Sequence, residues 1–321
     1  MDHRLYRGDM EAVCAALPEA ARLDLVYLDP PYGVGSTMSA REATGQARGK
    51  KRKGSGRDAY HDGADVDGLV AMLERCLVAL APHMSKRGCV YLHLDWRAVH
   101  DAKVAADRIF GRHAYCGDVA WTPGNGSRGA RGFAVTHQTL LVYAMGGRRN
   151  LTFRTDHPLL REPYAETSLR MHFRHSDEEG RRYRERTVNG KTYRYYADEG
   201  RRLGSVWTDI SAMRANTPLL DEGTGYPTQK PMKLLERILR ASSHEGDTVA
   251  DFMCGSGTTL AVAAALGRHF VGGDASDVAI EVTRRRLDQA GVDYRFEESR
   301  AARAIAADIP AAEAVPEPAT S

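Results

Sequence analysis

The sequence predicts an α/β fold, and three observations carry that prediction. Short apolar, β-prone runs alternate with helical apolar spacings along most of the 321 residues. One such run, Leu25 to Leu28, lies in LVYLDPPYGVG, and another opens DTVADFMCGSGTTLAVAAALG, where a glycine turn leads into a helix. Pro30 and Pro31 stop the first run from continuing as strand or helix, so Asp29 stands at a strand's carboxyl end. Ligands bind along that edge in open α/β sheets, which places Asp29 and Tyr32 for chemistry. A proline-rich loop that merely follows a strand is the plainer reading of the same residues.

At the N-terminus RLYRGD, MEAVCAALP and LDLVYLDPPY read as strand, helix and strand. The polar stretch STMSAREATGQARGKKRKGSGRDAYHDG follows, too long for a simple connection and crowded with Arg48, Lys50, Lys51, Arg52, Lys53 and Arg57; it reads as a functional or mobile loop. Leu69, Met72, Leu73, Cys76, Leu77 and Leu80 recur at helical spacing, and GCVYLHLD reads as a buried strand. A helix from about Trp96 to Phe110 and the strands DVAWT and TLLVYAM complete a first α/β half. Composition shifts at Gly146. From Arg148 to Arg202, 14 Arg or Lys residues stand against 9 Asp or Glu, interleaved with Tyr164, Phe173, Tyr183, Tyr193, Tyr195 and Tyr196: a basic insert with little apolar periodicity. The α/β pattern then returns, with helices at PMKLLERILRAS, TTLAVAAALG and SDVAIEVTRRRLDQAG and strands at DTVADFM and HFVGGD. Four parts result: residues 1–147, an insert at 148–205, residues 206–300, and a tail at 301–321 whose Ala and Pro bias predicts disorder.

With 42% apolar residues the chain can bury a full core. No run approaches the ~20 apolar residues of a membrane span, and MDHRLYRGDM lacks the apolar core of a signal peptide. A soluble, cytoplasmic protein with no membrane partner is the expectation. Cys14, Cys76, Cys89, Cys116 and Cys254 are scattered and form no C-x-x-C pair, so reduced thiols and no metal are expected. The net charge of +3 hides an uneven spread that allows a strongly basic face.

Cys254-Gly255-Ser256-Gly257 makes a tight turn before Thr258 and Thr259 open a helix, which lets a backbone approach a ligand closely. Seventeen residues past Gly257, Asp274 ends the next strand, where an acid can hydrogen-bond ribose hydroxyls. Leu260 stands where the dinucleotide fingerprint G-x-G-x-x-G needs its third glycine, and no G-x-x-x-x-G-K-[ST] occurs. What remains is a ligand with adenosine and no obligatory phosphate. S-adenosylmethionine fits; an ordinary glycine turn fits this segment as well when it is taken alone.

In chain order, DPPY (Asp29 to Tyr32), YPTQKP (Tyr226 to Pro231) and DFMCGSGTT (Asp251 to Thr259) resemble motifs of the amino-methyltransferases of DNA. The catalytic motif ahead of the cofactor loop, with an insert between, is similar to the order in their β class. The similarity runs from Tyr6 to Leu287 and is weakest in the insert. It implies a Rossmann-like, seven-stranded, mostly parallel methyltransferase sheet in circularly permuted motif order, with the DTVADF and LVYL strands as central neighbours. Asp29, Pro30, Pro31 and Tyr32 match the catalytic motif, and Asp29 is also expected to bind the cofactor through its methionine amine. Gly255 and Gly257 match the cofactor loop, with Phe252, Met253, Cys254 and Thr258 around them and Asp251 ahead. Asp274 matches the acid that receives the ribose hydroxyls, Thr228, Gln229 and Lys230 the motif at the methionine end, and Asp9 in YRGD the partner of the adenine amine. Met253 departs from the family's usual phenylalanine, with Phe252 one step earlier, which puts the detail of adenine packing in question. The resemblance further implies S-adenosylmethionine as cofactor, double-stranded DNA as substrate and the 148–205 insert as target-recognition region, and it admits a homodimer.

The chemistry suits these residues. An exocyclic base amine is a poor nucleophile because its lone pair is delocalised into the ring. The Asp29 carboxylate and Pro30 carbonyl can accept its two hydrogens and favour a pyramidal nitrogen, while prolines offer no competing N–H. The base must leave the duplex to be reached, and Tyr32 offers a face to stack on. DPPY is associated in the family with adenine N6, whereas cytosine N4 enzymes more often begin with serine; N4-cytosine methylation and a non-catalytic DNA-binding module remain open. His93 and His137 follow strand-like runs and read as structural histidines.

Overall fold

The computed structural model describes residues 2–32, 36–40, 57–62, 65–124, 132–213 and 222–298. The basic run at 48–53 and the tail at 301–321 lie outside the described residues. The first half holds β1 (Arg4–Arg7), α1 (Met10–Ala16), β2 (Leu23–Leu28), β3 (Ser36–Ala40), β4 (Arg57–Asp62), α2 (Val66–Leu80), β5 (Met84–Leu94), α3 (Val99–Phe110), β6 (Tyr115–Trp121) and β7 (Gln138–Ala144). The insert contains β8 (Arg161–Glu162), α4 (Glu166–His172), β9 (His175–Ser176), β10 (Arg182–Val188), β11 (Lys191–Tyr196) and β12 (Arg201–Arg202). Then come β13 (Val206–Trp207), α5 (Met232–Ser242), β14 (Thr248–Asp251), α6 (Thr258–Ala265), β15 (His269–Asp274), α7 (Asp277–Gln289) and β16 (Arg295–Glu298).

Among the described residues nine strands form the main sheet, in the order β13-β6-β7-β5-β2-β14-β15-β1-β16. Only β7 is reversed, antiparallel to both β5 and β6. The seven strands from β6 to β1 are those expected; the short β13 and β16 add parallel edges beyond them. β2 and β14 are central neighbours, with Leu25 opposite Val249 and Val26 opposite Ala250. Asp29 and Asp251 therefore reach the same carboxyl edge although they lie in opposite halves of the chain.

Alternation along the strands sorts the core into two layers. Val26, Leu28, Val90 and Leu92 pack with α1, α2 and α3 through Val13, Leu73, Leu77 and Ala102. Leu25, Tyr27, Cys89 and Tyr91 face the other way, onto α5, α6 and α7 through Leu235, Ile238, Leu260, Ile280 and Leu287. Helix starts are set by polar caps: Asp9 accepts from the Ala12 amide at 2.8 Å, and Asp65 from the Gly68 amide at 2.7 Å. The five cysteines are free thiols.

Three local readings are corrected. The polar stretch after Tyr32 is not simply a loop, because β3 and β4 pair antiparallel from Ser36 with Asp62 to Ala40 with Arg57; backbone pairing needs no apolar period. The helix expected from Trp96 starts at Val99, because Asp95 accepts the Arg97 amide in a turn at 2.9 Å. The insert, aperiodic in sequence, has an aromatic interior: Phe173 is buried against Tyr164 with ring centroids 4.6 Å apart. Leu151, at the start of the insert, packs on the main core, and buried Arg237 of α5 ties the insert to the main domain. Its guanidinium donates to both carboxylate oxygens of Asp209 and to the Leu159 carbonyl.

Candidate active site

At the carboxyl edge of β2, β14 and β15 lies a cavity of about 390 Å3. Every residue singled out from the sequence lines it except Gly257. Gly257 has φ +71° at the start of α6, and a Cβ there would meet the Thr283 Oγ1 at 2.7 Å. Its role is to let α6 and α7 pack closely, a tertiary requirement that the glycine pattern does not reveal.

Asp29 is held from both of its carboxylate oxygens. Tyr32 Oη donates to its Oδ1 at 2.7 Å, and Lys230 Nζ donates to its Oδ2 in an ion pair largely shielded from solvent. The Lys230 ammonium also lies 5.6 Å from the centre of the Tyr32 ring. Among the described residues no hydrogen bond occupies the Pro30 carbonyl. Behind the carboxylate, fully buried His93 places Nδ1 4.0 Å from Asp29 Oδ1. The His93 ring joins Tyr27 Oη at 2.6 Å and Gln138 Oε1 at 2.8 Å, and burial pushes its pKa down to about 4. The neutral ring donates from Nε2 to Gln138 and accepts from the Tyr27 hydroxyl at Nδ1. His93 is a satisfied structural histidine, yet it forms the wall behind Asp29; His137 is exposed.

The opposite side of the cavity is built on the glycine turn. Asp274 accepts from the Gly255 amide at 2.9 Å and the Ser276 amide at 2.8 Å. Burial raises its pKa to about 6, opposed by those two amides. Gly255 has φ +50°, and a Cβ on it would come within 3.1 Å of the Tyr226 ring, so the turn needs glycine both for its backbone and for space. Asp251 is pushed up to about 7 by burial, against hydrogen bonds from the Thr259 side chain and the Met253 amide. Asp9 lines the cavity while capping α1.

The YPTQKP loop closes the site. Thr228 holds φ +58°, a conformation that costs a β-branched residue about 1–3 kcal/mol and is concentrated at functional sites. Gln229 lines the cavity, but its amide is engaged within the loop, accepting from Thr224 and donating to the Glu222 carbonyl. The sequence reading missed Arg286 of α7, which donates to the Ser256 carbonyl at 2.9 Å, the Thr258 hydroxyl at 2.6 Å and the Glu222 carbonyl at 3.0 Å. It staples the glycine turn to the loop of Gln229, and burial lowers its pKa to about 10. Tyr226 was legible only as the first letter of YPTQKP.

The raised Asp251 pKa has a consequence for stability. Between the unfolded carboxyl's pKa and about 7, the folded state holds a proton that the unfolded state has released. Stability from this group is thus full at acid pH, declines as pH rises toward 7, and is level above it. Asp251→Asn is expected to remove this slope: the difference in unfolding free energy between wild type and variant falls from pH 5 to pH 7 and is flat beyond pH 7.5, read by urea titration. A pH-independent difference contradicts it.

A cavity of nucleoside size at the switch point of a mostly parallel sheet, floored by a glycine turn and flanked by acids, defines an α/β protein that binds an adenosine-type cofactor. The chain matches the family model N6_N4_Mtase, DNA methylase, over residues 23–285, and it belongs to this family of S-adenosylmethionine-dependent DNA methyltransferases. It is 26% identical to the DNA adenine methyltransferase YhdJ of Escherichia coli K12 over 295 residues, 92% of this chain and 85% of that protein. The M1.HpyAVI–SAM complex has a similar fold, with TM-score 0.51 and 15% identity over 90% of this chain and all of that one. So does the cytosine-N4-specific PvuII DNA methyltransferase, with TM-score 0.54 and 13% identity over 89% of this chain and 87% of that one.

Proposed function

We propose that this chain transfers a methyl group from S-adenosylmethionine to the N6 amine of adenine in double-stranded DNA, acting on a base flipped out of the helix. The observation that carries the reading is that the Asp29 carboxylate and the Pro30 carbonyl, the latter without a hydrogen bond among the described residues, line one cavity. An amine with two hydrogens needs two acceptors at fixed positions. The DPPY form of the motif and the similarity to an adenine methyltransferase favour adenine over cytosine.

The residues fit the cofactor. The cavity volume suits a nucleoside with a short tail, and the cradle at Gly255 is one that a Cβ would fill. Asp274 would hold the ribose hydroxyls, Asp9 the adenine amine, Phe252 and Met253 the apolar faces, and Thr228 and Lys230 the carboxylate end. Bound there, S-adenosylmethionine supplies a methyl group already activated on a sulfonium centre.

The chain's own work is placement. Asp29 and Pro30 accept the two amine hydrogens and turn the nitrogen lone pair out of conjugation, and orientation of this kind supplies much of the rate. The hydroxyl bond from Tyr32 to Asp29 fixes the ring against which the base stacks, a contact worth roughly 1–3 kcal/mol. After transfer the nitrogen gives up one hydrogen as a proton, and Asp29, already its acceptor, is placed to take it. Sequencing of methylated bases in DNA from cells expressing the chain tests the reading: N6-methyladenine at one recurrent sequence is expected, and N4-methylcytosine in its place overturns the choice of base.

A further inference from the structure

We propose that one face of the β10–β11 hairpin reads the DNA sequence, entering the major groove as a two-stranded ribbon with Arg186 directed at a guanine edge. This deepens the methyltransferase reading and rests on it. Register sorts the hairpin into two faces. On one lie the pairs Tyr183 with Tyr196, Glu185 with Arg194, and Thr187 with Thr192; on the other, Arg184 with Tyr195, Arg186 with Tyr193, and Val188 with Lys191.

The first face is chemically spent. Glu185 pairs with Arg194 at 3.2 Å, the two threonine hydroxyls bond at 2.9 Å, and Arg194 lies over the Tyr183 ring at 4.1 Å. The second face is anchored at its root and free at its tip. Arg184 sits 5.3 Å from the Tyr164 and Phe173 rings, and Arg182 donates to the Leu169 and Phe173 carbonyls, fixing the root on α4. Beyond it Arg186, Val188, Lys191 and Tyr193 are exposed. Neither Arg186 nor Lys191 has an acidic partner among the described residues, whereas Arg181, Arg194 and Arg201 of the same insert are ion-paired.

A tip whose cations have no acidic partner among the described residues, with the Lys191 ammonium 5.4 Å from the centre of the Tyr193 ring, suits a polyanion. The turn residues Asn189 and Gly190 have φ +49° and +76°, the signs that match a twisted two-residue hairpin, and a ribbon of two strands fits the major groove. Arg186 offers the planar fork that matches guanine O6 and N7, Val188 an apolar contact for a thymine methyl, and Lys191 a point charge for phosphate.

The test compares Arg186→Ala, Lys191→Ala and, on the spent face, Thr192→Ala in the full chain. Arg186→Ala is expected to relax one position of the methylated sequence, with discrimination there falling about ten- to a hundredfold. Lys191→Ala weakens DNA binding for all sequences and reduces its salt dependence by about one charge. Thr192→Ala behaves as wild type, and calorimetric S-adenosylmethionine affinity is unchanged in all three. Arg186→Ala methylating the same sequence at wild-type kcat/KM overturns the proposal. So does a change in sedimentation with an unchanged sequence preference, which assigns the face to a second copy of the chain. A wild-type protein that methylates no DNA overturns the methyltransferase reading itself, and the two failures are thereby told apart.

Discussion

Asp29→Ala is expected to lower the rate of methyl transfer by about 10²- to 10³-fold or more, the usual cost of losing a group that stabilises charge developing in the transition state. In the proposed role the loss falls on kcat, because the acceptor removed would orient the amine and would not hold the bulk of the base. Tyr32 and Lys230 both donate to Asp29, so the variant also releases the ring proposed to receive the base. Asp29→Asn separates these effects. It keeps one carbonyl acceptor and the side-chain shape but drops the charge that Lys230 neutralises, and its activity is expected between those of the alanine variant and wild type. Single-turnover transfer of labelled methyl groups reads both. Transfer within a few-fold of wild type in Asp29→Ala contradicts the role.

Asp274→Ala has the second largest expected effect, on cofactor affinity. Loss of charge-assisted hydrogen bonds from a buried carboxylate costs about 1.5–3 kcal/mol, or roughly a ten- to a hundredfold rise in Kd. The same carboxylate satisfies the Gly255 and Ser276 amides, so alanine also loosens the glycine turn. Asp274→Asn keeps one acceptor for those amides. If ribose binding is the main loss, both variants bind weakly in calorimetry while the asparagine variant retains the wild-type thermal midpoint. An unchanged Kd in either places the ribose elsewhere.

The central part of the sheet was readable because its signals are local. Two prolines after LVYLD fix a strand end, and a glycine turn between DTVADF and TTLAV fixes another; that the two ends meet came from the resemblance and matches the β2–β14 pairing. The supporting residues were not readable for the opposite reason. Arg286 lies on the polar side of an ordinary amphipathic helix, and only packing brings its guanidinium to Ser256, Thr258 and Glu222. His93 could be called structural, but its position behind Asp29 depends on the β2–β5 register, which aligns Tyr27 with Tyr91. Gly257 shows the converse: a motif position whose glycine is demanded by Thr283 of a later helix, away from the cavity. In the insert, arginine stacked on tyrosine and phenylalanine replaces an apolar period, so its strands left no alternating pattern.

The proposed function requires Asp29 and Pro30 to hold an adenine amine for methylation. Duplex DNA is treated with purified wild-type protein or Asp29→Ala in the presence of S-adenosylmethionine carrying a labelled methyl group, then digested to nucleosides and separated by liquid chromatography. Label in N6-methyl-2′-deoxyadenosine is expected from the wild type and essentially none from the variant. Label in N4-methyl-2′-deoxycytidine, or equal label in N6-methyl-2′-deoxyadenosine from both proteins, contradicts the proposed function.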